Sequence, residues 1–270
     1  MKSKNIGLAL GGGAVLGAAH IGVLKVIDEI DLKIDYISGT SIGAFVAAFY
    51  AFGKNCKEIE DIASELSWID ISNISLSRYG LLSNKKLGKL IVKHIGDKNI
   101  EDANIPLAIV ATDAATGEKV VFKNGPVAKA VMASTSIPGI FAPVKIDNKM
   151  LIDGGIVENV PIATVKNMGA KFIIGVDLNA NHNCKKPNNI LDVILNSFHF
   201  IMMQSDKIQT KNADLLIQPD LSSFNRSDTD QVENLMKKGY EDSLKSLKTA
   251  TFSKKQPWFQ RVLNFINKNE

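Results

Sequence analysis

Two cysteines in 270 residues, Cys56 and Cys184, are too few for a disulfide framework, and their spacing fits no metal site. A reducing compartment follows, and the cytoplasm is the simplest one. Metal patterns are missing too. No H-E-x-x-H and no EF-hand loop occurs, so neither zinc nor calcium is implied, and no cofactor is expected. The chain also lacks a convincing membrane span. The nearest stretch follows the basic "MKSK", where residues 5–24 carry no formal charge. Six of residues 6–24 are glycine, however, and "IGLAL" is too short for the apolar core of a signal peptide. Charge of one sign is scarce outside one place. The net charge is +4, yet residues 245–270 alone hold six basic side chains and one acid, which leaves the rest near −1. The basic character belongs to the tail and says little about the main body, and no nucleic-acid partner is expected.

What remains is an ordinary globular composition, 45% hydrophobic and 22% charged, in a chain long enough for one large domain. No internal repeat is visible. "NIGLAL" reads as a short buried strand that "GGG" breaks, and Ile21, Leu24 and Ile27 then recur at helical spacing. "DYISG" is a second strand, and residues 42–53 form a tightly packed helix. "PLAIVATDA" and "KVVF" are strands, and "GPVAKAVMAS" is a helix with Pro126 near its start. "KMLIDGG" is a strand running into a turn, while "AKFIIGVDL" and "ADLLIQPDL" are further buried strands. Helical patterns cover 160–168, about 189–211 and about 229–249. Strands alternating with helices predict an α/β sheet covered on both faces. A domain of residues 1–250 and a basic tail of 251–270 are expected, joined through "TATFSKKQP".

Three turns carry the candidate chemistry. The first is Gly-x-Ser-x-Gly, Gly39 to Gly43, set between a strand and a helix. A serine is a weak nucleophile until a base comes within reach. Small flanking residues permit a sharp turn that projects the Ser41 hydroxyl, and the next helix aims its N-terminal N–H groups at developing negative charge. An ordinary tight turn gives the same pattern. The second is "GGGAVLG". It reads as a helix-entry turn, a nucleotide loop or an oxyanion hole. The nucleotide reading fails on two points: Leu16 takes the place of the third glycine of G-x-G-x-x-G, and no acid ends the second strand. The third is "LIDGGIVENVP", where Asp153 ends a strand just before Gly154 and Gly155. An Asx-type turn accounts for it locally, and a carboxylate so placed is also held rigidly against a neighbouring loop.

Together these turns resemble the patatin-like phospholipases, particularly the small bacterial members. The glycine loop, the Gly-x-Ser-x-Gly and the Asp-Gly-Gly stand in that family's order, and "ATDAATGEKVVF" and "ASTSIPGIFAPV" also look like family stretches. The resemblance implies a three-layer α/β/α sandwich around a central, mostly parallel sheet. It implies Ser41 as nucleophile, Asp153 as its base without a histidine, and Gly11, Gly12 and Gly13 as oxyanion donors. It implies cleavage of lipid carboxylic esters, phospholipid or other, through an acyl-serine. A lipid transacylase and a non-catalytic regulatory protein that keeps the fold stay open as alternatives. The loop departs from the family pattern twice, with Ala14 where a glycine is common and Leu16 where a basic residue is common. Alanine is a mild change unless the position needs a positive φ.

A histidine triad in the order Ser, Asp, His leaves only His182 and His199. His182 falls in a surface-like loop. His199 falls in apolar "SFHFIMM", which suits packing or pocket lining better than catalysis. Asp113 in "ATDA" reads as a buttress to the site rather than a reacting group. In "KKQPWFQRVLNFINK", Trp258, Phe259, Val262, Leu263 and Ile266 form one broad apolar face with bases around it. That face packs on the domain or lies against an anionic membrane; the second reading makes the protein peripheral to the inner face of the membrane.

Overall fold

The computed structural model describes residues 5–65, 74–77, 80–181, 184, 186–188, 190–226 and 228–249. The tail of 251–270, the domain boundary before it and His182 lie outside the described residues. The strands are β1 (Ile6–Leu10), β2 (Tyr36–Thr40), β3 (Ile74–Ser77), β4 (Gly80–Leu82), β5 (Leu107–Asp113), β6 (Lys119–Phe122), β7 (Gly139–Phe141), β8 (Val144–Ile146), β9 (Lys149–Asp153), β10 (Phe172–Val176) and β11 (Leu215–Ile217). The helices are α1 (Ala19–Glu29), α2 (Ile42–Ala51), α3 (Cys56–Ser64), α4 (Lys85–Ile95), α5 (Val127–Ser134), α6 (Ile162–Asn167), α7 (Ile190–Gln209) and α8 (Val232–Thr249).

The central sheet runs β11-β10-β1-β2-β5-β9-β8, with β6 paired on the other edge of β5. From β11 to β5 every pairing is parallel, and β6, β9 and β8 are antiparallel. Both faces are covered, as a parallel sheet requires. Along β1 the alternation sends Leu8 and Leu10 into the large core with α1, α2 and α8, and Ala9 into a smaller cluster with α6 residues Ile162 and Val165. β10 divides the same way, Ile174 and Val176 against Ile173. The three layers expected from the motifs are therefore present.

"ADLLIQPDL" contributes only the three residues of β11. Pro219, two places beyond, has no N–H for a ladder. Residues 54–105, where no pattern stood out, hold α3, α4 and two strands of a small sheet ordered β3-β4-β7. That sheet and α7 share a satellite cluster of Leu82, Ile137, Ile140, Phe198 and Met202, separate from the main core.

The register on β5 places the ends of two strands. β2 pairs with β5 from Ile37 opposite Leu107 to Thr40 opposite Val110. β9 pairs with β5 from Leu151 opposite Asp113 to Asp153 opposite Ala111. Because β6 already occupies the other edge at Ile109 to Thr112, β2 and β9 must share one edge. They run towards each other along it, and their C-terminal ends meet between Val110 and Ala111.

Candidate active site

Ser41 follows Thr40 at that meeting point, and Asp153 is the residue that arrives from the other side. Ser41 is the N-cap of α2 with φ +55° and ψ −127°, a conformation that a side chain rarely adopts and that costs about 1–3 kcal/mol. The turn is tight enough to need its glycines. A Cβ on Gly43 would lie 2.1 Å from the Leu10 carbonyl oxygen, and one on Gly39 would lie 2.5 Å from the Ala44 Cα. At the facing turn, a Cβ on Gly154 would lie 2.3 Å from the Val110 oxygen. Bulk at any of these positions would drive its turn out of place against β1, α2 or β5.

Both turns hang on the same segment, "ASTSIPG". The Ser134 hydroxyl accepts from the Ser41 N–H at 2.8 Å and donates to the Val110 oxygen at 2.6 Å. Two residues on, the Ser136 carbonyl accepts from the Asp153 N–H at 2.9 Å. The Thr112 hydroxyl then donates to the Asp153 carbonyl oxygen at 2.9 Å. Asp153 Oδ1 accepts from the Gly155 N–H at 2.8 Å, so the local Asx turn is real as well. Asp153 is fully buried, and among the described residues Oδ2 has no hydrogen-bond partner of good geometry. Burial pushes the carboxyl up from 3.8 to about 7, against smaller downward pulls from the Ser41 hydroxyl and the Gly155 N–H.

The glycine loop comes up beside Ser41, where a Cβ on Gly12 would lie 3.0 Å from the Ser41 Cβ. The Gly11 N–H donates to the Val176 oxygen at 3.1 Å, and the Gly11 oxygen accepts from His20 Nε2 at 2.7 Å. The Gly12 N–H donates to Asn159 Oδ1 and the Gly12 oxygen accepts from Asn179 Nδ2, each at 3.0 Å. Burial lowers the His20 imidazole to about 4, so it stays neutral and donates. Among the described residues the Gly13 N–H has no acceptor, and the Ile42 N–H belongs to the first turn of α2, whose N–H groups have no partner within the helix. Gly13 itself is extended at φ 173°, whereas Ala14 has φ +53°, the left-handed region in which alanine is strained.

The two asparagines are themselves held. Asn159 Nδ2 donates to Asp206 at 2.8 Å, and the Arg226 guanidinium donates to Asn179 Oδ1 and to His199 Nδ1, both at 2.6 Å. Burial, then the nearby Asp177 charge, pushes the Asp206 carboxyl up, while burial lowers Arg226 to about 10. His199 thus serves this buried network. Asp113 accepts from the Ala115 N–H at 3.0 Å and pairs with Lys149 at 3.7 Å, which secures the turn after β5. Asn159, Asn179, Asp206 and Arg226 did not stand out in the sequence. Asparagine in "ENVP" and "DLNAN" reads as turn chemistry. No group of three or more His, Cys, Asp or Glu able to hold a metal occurs among the described residues.

A strained serine at a strand-to-helix turn, meeting a buried carboxyl end to end on one edge of β5, defines an α/β protein whose chemical turns lie at the strand ends of a mostly parallel sheet. The profile of the patatin-like phospholipases matches residues 8–166, and the chain belongs to that family. An uncharacterized NTE family protein of Mycobacterium tuberculosis is 36% identical over 66% of this chain and 50% of its own length. Neuropathy target esterase sws of Drosophila melanogaster is 32% identical over 70% of this chain, which spans only 14% of that protein. Lysophospholipase NTE1 of Coccidioides immitis is 33% identical over 66% of this chain and 12% of its own length. VipD from Legionella pneumophila shares the fold, with a TM-score of 0.52 at 14% identity over 92% of this chain and 67% of that one. Two of these relatives are named as an esterase and a lysophospholipase, and no helix among the described residues is long and apolar enough to cross a membrane.

Proposed function

We propose that the protein hydrolyses carboxylic esters of lipids through an acyl-serine formed on Ser41. Ser41 Oγ attacks the ester carbonyl, and Asp153 accepts its proton and returns it to the leaving alcohol. The oxyanion is received by the Gly13 N–H and by the first N–H groups of α2, at the positive end of the helix dipole. Gly11 and Gly12 hold the loop instead, since their own N–H groups are already engaged. Water activated by Asp153 then releases the fatty acid. A free aspartate, with a pKa of about 3.9, is a weak base. At about 7 the Asp153 carboxylate is matched to proton transfer near neutral pH.

The observation that carries this reading is the end-to-end meeting of β2 and β9 on one edge of β5, which sets Ser41 and Asp153 face to face. Relatives named as an esterase and a lysophospholipase support the lipid-ester class. The test is a panel of phospholipid, lysophospholipid and triacylglycerol esters, with wild type beside Ser41→Ala and Asp153→Asn. Both variants are expected to lose hydrolysis while staying folded, and a fluorophosphonate is expected to label Ser41. Full activity in either variant, or labelling elsewhere only, overturns the mechanism.

A further inference from the structure

Exposed large apolar side chains are concentrated on one helix. Of the six among the described residues, all but Val92 belong to α7: Ile190, Val193, Phe200, Ile201 and Ile208. Their spacing puts them on one face, and the uncharged, exposed Ser197 and Gln204 fill it in. At about 1.5 Å per residue the stripe is about 27 Å long. Exposure is high at its ends and middle, 75% at Ile190, 71% at Ile208 and 55% at Phe200. An exposed, mostly apolar and uncharged stripe of this kind on a globular protein marks an interaction surface.

The opposite face of α7 roofs the candidate active site. Phe198 and Met202 are buried there, 3.2 and 2.9 Å from where a Cβ on Gly155 would stand, beside the Asp153 carboxyl. Whatever covers the outer face therefore lies about one helix diameter, roughly 10 Å, from the Asp153 turn. The charges around the stripe are one-sided. Lys186, Lys207 and Lys211 are exposed near its two ends. Of the two acids on α7, Asp206 is buried and Asp192 is partly buried with its carboxylate on the Asn188 N–H.

We propose that the outer face of α7 docks on the surface of a lipid aggregate bearing anionic head groups, which brings the Ser41–Asp153 turn to the layer that supplies its substrate. The inference rests on the lipid-ester reading of the site. Aromatic and branched side chains enter the boundary of the acyl chains, and the lysines meet the head groups.

The test uses the full chain carrying Ser41→Ala, so that binding is read without turnover. Flotation with vesicles of phosphatidylcholine and phosphatidylglycerol is compared before and after adding Phe200→Asp and Ile201→Asp. Binding is expected to fall at least tenfold, and Lys207→Gln with Lys211→Gln to weaken it most on the anionic vesicles. With Ser41 intact, the α7 variants are expected to keep hydrolysis of a soluble short-chain ester and to lose hydrolysis of vesicle lipid. Should Phe200→Asp with Ile201→Asp lower the melting temperature, Ile190→Asp with Ile208→Asp reads the same face at its two most exposed positions. Vesicle binding unchanged by the substitutions overturns the proposal. So does a wild type that ignores vesicles, or one that forms a dimer that the same substitutions break, because the face then meets protein. If α7-dependent binding appears but no lipid ester is cleaved, the docking stands and the proposed chemistry falls.

Discussion

Asp153→Asn is expected to make the protein more stable and inactive at once. The Asp153 carboxyl is pushed from 3.8 to about 7 by burial, whereas an unfolded aspartate titrates near 3.9. Between about pH 4 and pH 7 the folded protein keeps a proton that the unfolded chain has released, so stability falls as pH rises through that window. At about 1.4 kcal/mol per unit, a shift of this size amounts to about 4 kcal/mol at pH 8. Full burial leaves no solvent to screen the carboxylate. Asparagine keeps the Oδ1 acceptor used by Gly155 and removes the charge. Urea titrations are therefore expected to show Asp153→Asn more stable than wild type by about 2–4 kcal/mol at pH 8, with the gap shrinking below pH 7 and closing near pH 4. The same titration sets the activity of wild type: kcat/KM on a soluble ester rises with pH through an apparent pKa of about 7. A variant no more stable than wild type at pH 8, or a gap that persists at pH 4, would refute the claim that burial of an ionised carboxylate is the dominant cost.

Ser41→Gly and Ser41→Ala both lose hydrolysis, but Ser41→Gly relieves φ +55° and is expected to unfold at higher urea, by about 1–2 kcal/mol. Ala14→Gly, at φ +53°, is expected to gain about 1 kcal/mol with hydrolysis retained; a loss of stability in urea would contradict it. Asn159→Ala removes the acceptor of the Gly12 N–H and is expected to lower kcat by about 10- to 100-fold with KM little changed, the signature of an interaction felt mainly in the transition state; a change confined to KM would count against it. Excess EDTA is expected to leave hydrolysis of a soluble short-chain ester unchanged, and a loss restored by calcium would reveal a metal site.

Much of the architecture is legible because its signals are local. β1, β2, β5 and β10 are mostly apolar or small runs closed by glycine or aspartate, which is how strands buried on both faces read. The three chemical turns are legible for the same reason. The stretch from 54 to 105 is not. β3 and β4 are four and three residues long, and their partner β7 lies far along the chain. One signal there was available: Asn55 and Glu58 form a capping box that announces α3. Nor does the sequence reveal that "ASTSIPG" holds Ser41 through the Ser134 hydroxyl and Asp153 through the Ser136 carbonyl. Those contacts depend on register in a sheet, which no local pattern encodes. Arg226 and Asn179 meet across 47 residues from two loops, which no local pattern encodes either.

The glycine loop shows how a departure from a family's pattern is absorbed. Leu16, where a basic residue is common, is fully buried in the main core. A charge there would have no water around it. Yet the loop does not depend on a cation at that place. All four peptide groups of Gly11 and Gly12 are engaged, by Val176, His20, Asn159 and Asn179. A buried cation, Arg226, comes from far along the chain and acts one residue removed, through Asn179. Its carbonyl also accepts from the Val15 N–H at 3.2 Å, so the same residue grips the loop by backbone and side chain. Two buried carboxyls, Asp177 and Asp206, share its field, and burial disfavours charge on both. What Leu16 removes is a charge in the glycine loop. What fixes the loop is a set of hydrogen bonds that asparagine and neutral histidine supply without one, and those bonds leave the Gly13 N–H unused among the described residues, the donor that the proposed mechanism calls on.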